Sequence, residues 1–356
     1  MPGLSPAELL ERLVAIPSPT GLEAAAVAFL ADEARSDGFR VRSDSAGNFL
    51  AEAGRGERLV LFVGHIDTVP GHIPVRVADG VLWGRGAVDA KAPLVAAYCA
   101  ARAHRDNPDL RIVVAGCIDE EGHSRGAKAL PRDLRPEAIL VGEPSGADGI
   151  TIGYKGILRG QFSVEREAQH GGYPGGGAAD ALVAWWSAVG RDLAFADGFT
   201  TCHGRLADLR SGSDGLLDEA SASFQVRLPP SVPPAEAQRR IAELAQQNGA
   251  EVLFSEAMPA AESSSRSALV ARLKTAIRAA GMEPRLKRKT GTADFNHLAQ
   301  WFPGVPLVAY GPGDSHLDHT PNERIELAEL ERGVRVLDRT FSLLAETRPV
   351  VAAKPA

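Results

Sequence analysis

Four short apolar runs punctuate the chain, and each ends where chemically different residues begin. Arg58-Leu59-Val60-Leu61-Phe62-Val63 leads into His65 and Asp67, and Arg111-Ile112-Val113-Val114-Ala115-Gly116 leads into Asp119-Glu120-Glu121. Ala138-Ile139-Leu140-Val141 is followed by Gly142-Glu143-Pro144, and Val305-Pro306-Leu307-Val308-Ala309-Tyr310 precedes a segment carrying His316 and His319. Near-continuous runs of this length predict strands buried on both faces of a parallel sheet. Residues 5–16 and 22–36 read as helices, the first opened by Ser5 and Pro6 in cap and first-turn positions, with Ser18-Pro19-Thr20-Gly21 as the turn between them. Arg40–Arg42 and Asn48–Ala53 read as short strands, and Ala90–His104 as an Ala-rich helix that tolerates Pro93 in its first turn. The predicted class is α/β: a mixed, largely parallel sheet flanked by helices.

In open α/β sheets ligands bind beyond the carboxyl ends of the strands. His65, Glu120, Glu121, Glu143, His316 and His319 all sit just past such ends. Carboxylates gathered at one sheet edge repel each other unless cations lie among them, so the pattern points to a metal site. Mixed nitrogen and oxygen donors without cysteine fit zinc, with cobalt or manganese as alternatives. A bridging carboxylate would hold two ions ~3.5–4 Å apart, the arrangement of metal-assisted hydrolysis. His65 and Asp67 are two apart and share a face while the chain stays extended, so Asp67 is placed to orient the imidazole of a metal ligand. A His-X-Asp triplet taken alone also fits an ordinary surface or core histidine.

The length of 356 residues exceeds what one core usually organises, which predicts two domains. With 44% hydrophobic and 24% charged residues the chain reads as soluble and globular. No apolar run approaches the ~18 residues of a spanning helix, and no basic stretch precedes an apolar core at Met1-Pro2-Gly3-Leu4-Ser5-Pro6, so the expectation is a cytoplasmic protein without membrane contact. Cys99, Cys117 and Cys202 are odd in number and widely spaced, which predicts reduced thiols. A net charge of −6 argues against general nucleic-acid binding.

Five segments in register then carry a resemblance. Gly64-His65-Ile66-Asp67-Thr68-Val69-Pro70, Gly84-Arg85-Gly86-Ala87-Val88-Asp89-Ala90-Lys91, Asp119-Glu120-Glu121-Gly122, Val141-Gly142-Glu143-Pro144 and His319-Thr320-Pro321-Asn322-Glu323 together resemble the dizinc aminoacylase and carboxypeptidase family. That family includes succinyl-diaminopimelate desuccinylase, acetylornithine deacetylase and carboxypeptidase G. The resemblance implies two Zn²⁺ per subunit, with His65 and Glu143 on one ion, Glu121 and His319 on the other, and Asp89 bridging. It makes Glu120 the general base and Asp67 the partner of His65, and it implies a cis peptide between Asp89 and Ala90. A third metal ligand or a solvated loop charge is the plainer account of Glu120.

The same resemblance divides the chain into a catalytic domain, residues 1–157 and 263–356, and an inserted α+β lid and dimerisation domain, residues 158–262. It implies a homodimer or a dimer of dimers. His170, in Gln169-His170-Gly171-Gly172-Tyr173-Pro174, takes the place of a histidine that reaches the partner's site to stabilise an oxyanion; an ordinary loop histidine is the alternative. Arg227 matches a position that holds a substrate carboxylate, or is a plain strand arginine. Ile152-Gly153-Tyr154-Lys155-Gly156, Gly84–Lys91 and Lys289-Thr290-Gly291-Thr292-Ala293-Asp294-Phe295-Asn296 look most like the branch that releases lysine or ornithine from the acidic carrier protein LysW. Lys155 and Asp294 become substrate-binding candidates, Asp294 for an amino group, with a helix cap as its other reading. A deacylase of N-acetyl-lysine or N-acetyl-ornithine is the alternative activity, and a metal-free binding module the alternative class. The run Arg285-Leu286-Lys287-Arg288-Lys289 is expected either to dock the carrier or to be a solvated edge strand.

Overall fold

The computed structural model describes residues 3–131, 133–172 and 175–346. Met1 and Pro2 of the N-terminal reading and Tyr173 and Pro174 of the His170 segment lie outside the described residues. Two compact units emerge. The larger comprises the chain up to Ile152, Ser263–Lys287 and the chain from His297 onward; the smaller comprises Gly153–Glu262 and Arg288–Asn296. The smaller unit thus contains residues 158–262 together with 153–157 and 288–296.

In the larger unit the predicted apolar runs are strands. Arg58–His65 lies between Leu110–Cys117 and Pro136–Gly142 and pairs with both in parallel, and Leu307–Ala309 adds to Pro136–Gly142, also in parallel. Antiparallel strands flank these: Phe49–Gly54 against Leu110–Cys117, Arg40–Ser43 against Phe49–Gly54, and Gly149–Tyr154 against Leu307–Ala309. The sheet is therefore mixed, with parallel strands at its centre. Phe62, Val60, Ile112, Val114 and Leu140 are fully buried in it. The helix Lys91–Ala103 packs on these strands and on Leu327–Ala345, and its run of alanines lets it approach both.

Local signals set the helix boundaries. Ser5 accepts the Glu8 N–H while the Glu8 carboxylate accepts the Ser5 N–H, a reciprocal cap that starts Pro6–Val14. The second predicted helix spans Ala24–Ser36. A separate three-stranded sheet pairs Val81–Trp83 with both Arg76–Ala78 and Arg324–Glu326, with Arg324 opposite Trp83. All three cysteines are buried and none forms a disulfide. Among the described residues no helix is long and apolar enough to cross a membrane.

The smaller unit is a four-stranded antiparallel sheet in the order His203–Ser213, Leu217–Leu228, Gly156–Glu167, Glu251–Met258. Along Gly156–Glu167 buried and exposed residues alternate, the period of a sheet with one wet face. The helices Ala178–Asp192 and Pro234–Gln247 cover the dry face, where Trp185 stacks on Phe162 at 4.2 Å between ring centroids.

Candidate metal centre

His65 is the last residue of its strand, and the parallel register sets the site around it. Gly64 lies opposite Gly116 on one side and Gly142 on the other, so the segments leaving all three strands start from one sheet edge. His65 is buried, and its Nδ1 stands 3.0 Å from the Asp67 backbone carbonyl oxygen and 3.5 Å from Asp67 Oδ1. The expected pairing of His65 with Asp67 is present, with the carbonyl as the nearer acceptor. The Asp67 carboxylate does something else as well. Its Oδ1 accepts the Glu120 N–H at 3.0 Å, and its Oδ2 accepts the Glu121 N–H at 3.1 Å and the Thr20 hydroxyl at 2.9 Å. Asp67 thereby fixes the backbone of the acidic pair whose side chains the sequence singles out.

Asp89 is the centre of the cluster. Its Oδ1 lies 3.3 Å from His65 Nε2 and its Oδ2 lies 3.0 Å from His319 Nε2, so one carboxylate addresses two imidazoles with separate oxygens. His319 Nε2 is also 2.8 Å from Glu121 Oε1. Ligand atoms of His65, Asp89 and Glu121 all fall within 4.8 Å of one another. Glu143 is buried directly after Gly142, the register partner of Gly64. The Asp89–Ala90 peptide is cis, as the resemblance implied.

The electrostatics follow from burial and pairing. Burial alone would lower the His65 pKa, but hydrogen bonds with Asp67 and Asp89 outweigh it and hold the ring well above its ordinary value. His319 is raised to about 10 by its hydrogen bonds to Asp89 and then Glu121. Burial raises the Asp89 pKa, and the contacts with His319 and His65 reverse that and hold it low. A field that draws positive charge onto two imidazoles between carboxylates is the field a divalent cation satisfies. The donor set is imidazole and carboxylate without thiolate, which suits zinc, cobalt or manganese. The residues present fit a two-ion centre.

Groups that sequence reasoning left without a role support this edge. Glu323 is fully buried and accepts the N–H groups of Val88 and Asp89. The buried Lys91 ammonium donates to the carbonyls of Leu13 and Ile16 at the end of the first helix. Burial, partly offset by Glu323 and Asp67, lowers its pKa to about 8. Gly86 has φ +85°, and a Cβ there would stand 2.8 Å from Thr68 Cγ2, so the turn into Asp89 requires glycine. The charged letter at position 323 was visible in the sequence; nothing local marked it as buried. His316, outside the ligand pattern, pairs with Asp314 at 2.8 Å.

In the smaller unit, Arg227 and Lys155 line a 320 Å³ pocket with His203, Arg205, Gln225 and Thr290. Arg227 Nη1 donates to the Thr292 hydroxyl at 2.8 Å, and that hydroxyl donates to the Lys155 carbonyl at 2.9 Å. The Lys155 ammonium donates to the Thr201 carbonyl. Burial lowers the pKa of both cations. Asp294 is buried at the start of Asp294–Trp301 and is not among the residues lining that pocket. His170 is exposed, and its Nδ1 accepts the Gly172 N–H. The basic run is largely engaged: Arg285 pairs with Asp148, Arg288 with Glu262, Lys287 donates to the Ser145 carbonyl, and Lys289 lies over the Tyr154 ring.

A mixed α/β sheet with a histidine–carboxylate cluster at the carboxyl edge of its parallel strands defines a class, the metal-dependent hydrolases. Residues 61–342 match the model of peptidase family M20/M25/M40, and the chain belongs to that family. A LysW-lysine hydrolase of Deinococcus radiodurans is 42% identical over 349 residues, 95% of this chain and 96% of that one. A protein of Thermococcus kodakarensis, named provisionally as a LysW-lysine/LysW-ornithine hydrolase, is 44% identical over 331 residues, covering 93% and 89%. Among solved structures, a dinuclear metal-binding M20-family peptidase of Bacillus subtilis superposes with a TM-score of 0.73 at 13% identity, covering 96% of this chain and 98% of that one.

Proposed function

We propose that this M20-family hydrolase releases lysine or ornithine from the carrier protein LysW by cleaving the amide that joins them. The observation that carries the reading is the Asp89 carboxylate, which addresses His65 with one oxygen and His319 with the other while Glu121 shares His319. On this reading His65 and Glu143 would hold one Zn²⁺ and Glu121 and His319 the second, with Asp89 serving both. Cobalt or manganese would suit the same donors. The names of relatives at 42–44% identity supply the substrate.

Bound divalent metal supplies Lewis acidity, which lowers the pKa of water and polarises an amide carbonyl. The chain's own groups do the rest. Glu120, carried by a backbone that Asp67 holds, accepts the proton of the attacking water and returns it to the amine nitrogen as the C–N bond breaks. Asp67 keeps the His65 ring oriented. Arg227, whose guanidinium meets only a hydroxyl among its described hydrogen bonds, receives the amino acid's carboxylate with Lys155 beside it, and Asp294 receives an amino group. The unit containing residues 158–262 serves as lid and dimerisation domain of a cytoplasmic homodimer or dimer of dimers, and His170 completes the partner's site by stabilising the oxyanion.

A second reading, a deacylase of N-acetyl-lysine or N-acetyl-ornithine, draws on the internal pairing of the basic run, which leaves less charge to dock an acidic carrier. One panel separates the two. After metal repletion, kcat/KM is measured on LysW-linked lysine, LysW-linked ornithine, N-acetyl-lysine and N-acetyl-ornithine. The proposal expects carrier-linked substrates to lead by at least about tenfold, a difference of about 1.4 kcal/mol in transition-state binding. Preference for the acetylated amino acids transfers the assignment to the second reading, and no hydrolysis with metal bound ends both.

A further inference from the structure

The Glu323 carboxylate is completely buried, and each of its oxygens has a task. Oε1 accepts the N–H of Val88 at 2.9 Å and the N–H of Asp89 at 3.0 Å. Oε2 accepts Arg85 Nη1 at 2.8 Å. The same Nη1 donates to the carbonyl of Thr320, the residue after His319, at 3.3 Å, and Arg85 Nε reaches the Gly71 carbonyl at 3.4 Å. The Glu323 carbonyl in turn accepts the Gly84 N–H at 3.3 Å. Pairing of Arg324–Glu326 with Val81–Trp83 brings these distant segments together. A buried carboxylate persists only when it is paired and hydrogen-bonded, and this one directs its bonds at the backbone of the residue that addresses both histidines. His319 itself sits at φ +61°, so its segment has a conformation that side chains rarely adopt unless neighbours hold it.

We infer that Glu323 and Arg85 form one clasp that sets Asp89 against His319, and that this clasp decides how tightly the second metal ion is held. It rests on the two-ion reading above. Glu323 and Arg85 are positioning residues: neither is placed as a ligand, and each acts through the backbone of one. Groups that hold metal ligands in place by hydrogen bonds are commonly worth about 10–100-fold in metal affinity. Because ligands assigned to different ions meet at Asp89, loosening the clasp acts on the later binding step more than on the first.

Metal binding tests this directly. Apoprotein prepared with a chelator is titrated with Co²⁺, followed by calorimetry and by the visible absorption of the bound ion. Wild-type chain is expected to take up two equivalents. Glu323→Gln and Arg85→Met are each expected to weaken the second step about 10–100-fold and to leave the first within about threefold. The double variant is expected to match the more severe single one, since both remove the same clasp. Arg85→Lys, which keeps a charge but not the fork, is expected to fall between wild type and Arg85→Met. Should Glu323→Gln fail to fold, the two Arg85 variants decide the matter. Unchanged Co²⁺ affinities in folded variants, even with a lowered Tm, would reduce the pair to a structural role and overturn the inference. Fewer than two equivalents on the wild-type chain would instead overturn the two-ion reading itself, a result distinguishable from the first.

Discussion

The carboxyl edge of the larger unit and the basic pocket of the smaller one hold their polar side chains in opposite ways. At the sheet edge the candidate ligands arrive already held: His65 by Asp67, Asp89 by Glu323, and the Glu120–Glu121 backbone by Asp67. The contacts on His65 and Asp89 are buried and those on the Glu120–Glu121 backbone partly so. In the pocket the cations are lightly tied: Arg227 to one hydroxyl, Lys155 to one carbonyl, with His203 and Arg205 exposed. The contrast has a physical reason. A metal ion demands donors at fixed distances and angles, so scaffolding its ligands in advance avoids reorganisation when it binds. A carboxylate on a flexible amino acid asks for charge and a fork, and tolerates some adjustment.

The largest effect expected at the held edge is at Glu120. Glu120→Gln should lower kcat by about 10²–10⁴-fold and leave both metals bound, because a positioned proton acceptor is replaced by an amide that cannot take the proton. Loss of metal along with activity, measured by elemental analysis, would make Glu120 a ligand and erase its distinction from Glu121.

Acid should unfold the larger unit through its buried polar groups. Burial, with Lys128 nearby, lowers the His297 pKa to about 4, and the ring stacks on Trp301 at 5.4 Å. The unfolded chain binds that proton at about 6.5, so the folded state is favoured by the neutral ring. This contribution is complete above pH 6.5, is lost as pH falls through 4, and amounts to at most about 3 kcal/mol. Denaturant unfolding of wild type and His297→Gln between pH 7 and 4 measures it; parallel curves would show that the histidine does not report burial there.

The lightly tied pocket should answer more gently. Arg227→Met is expected to raise KM for the amino-acid-bearing substrate about 10–100-fold with a smaller change in kcat, as for a lost charge-assisted hydrogen bond. A fall confined to kcat would move Arg227 from binding to chemistry and blur the contrast between the regions.

The smallest effect belongs to the basic run. With Lys287 and Arg288 engaged within the fold, Lys287→Glu/Arg288→Glu should change kcat/KM on LysW-linked lysine by less than about threefold, the scale of exposed ion pairs. A loss above tenfold that deepens as salt is removed would restore a docking role.

Much of this molecule was legible in one dimension. Burial period and end signals are local, so the apolar runs at 58–63, 111–116 and 138–141 became strands, and Ser5 with Pro6 opened the first helix. The rule that ligands gather beyond parallel strand ends is enough to nominate His65, Glu120, Glu121 and Glu143 from the sequence. The strand before His316 and His319, Leu307–Ala309, is shorter than its apolar run at both ends; Pro306, without an N–H, meets the neighbouring strand only as an acceptor, from Ile139.

Partners were another matter, because a hydrogen bond across 235 residues has no local signature. That the Asp67 oxygens serve Glu120 and Glu121, that Glu323 is buried under Asp89, and that Arg285 and Arg288 find carboxylates of their own were decided by strand register in three dimensions. Hydrophobic and polar order along the chain determined which segments form the sheet and where its reactive edge lies. Only the packed sheet determined which charges meet, since burying one of them requires a partner that the chain supplies from far away.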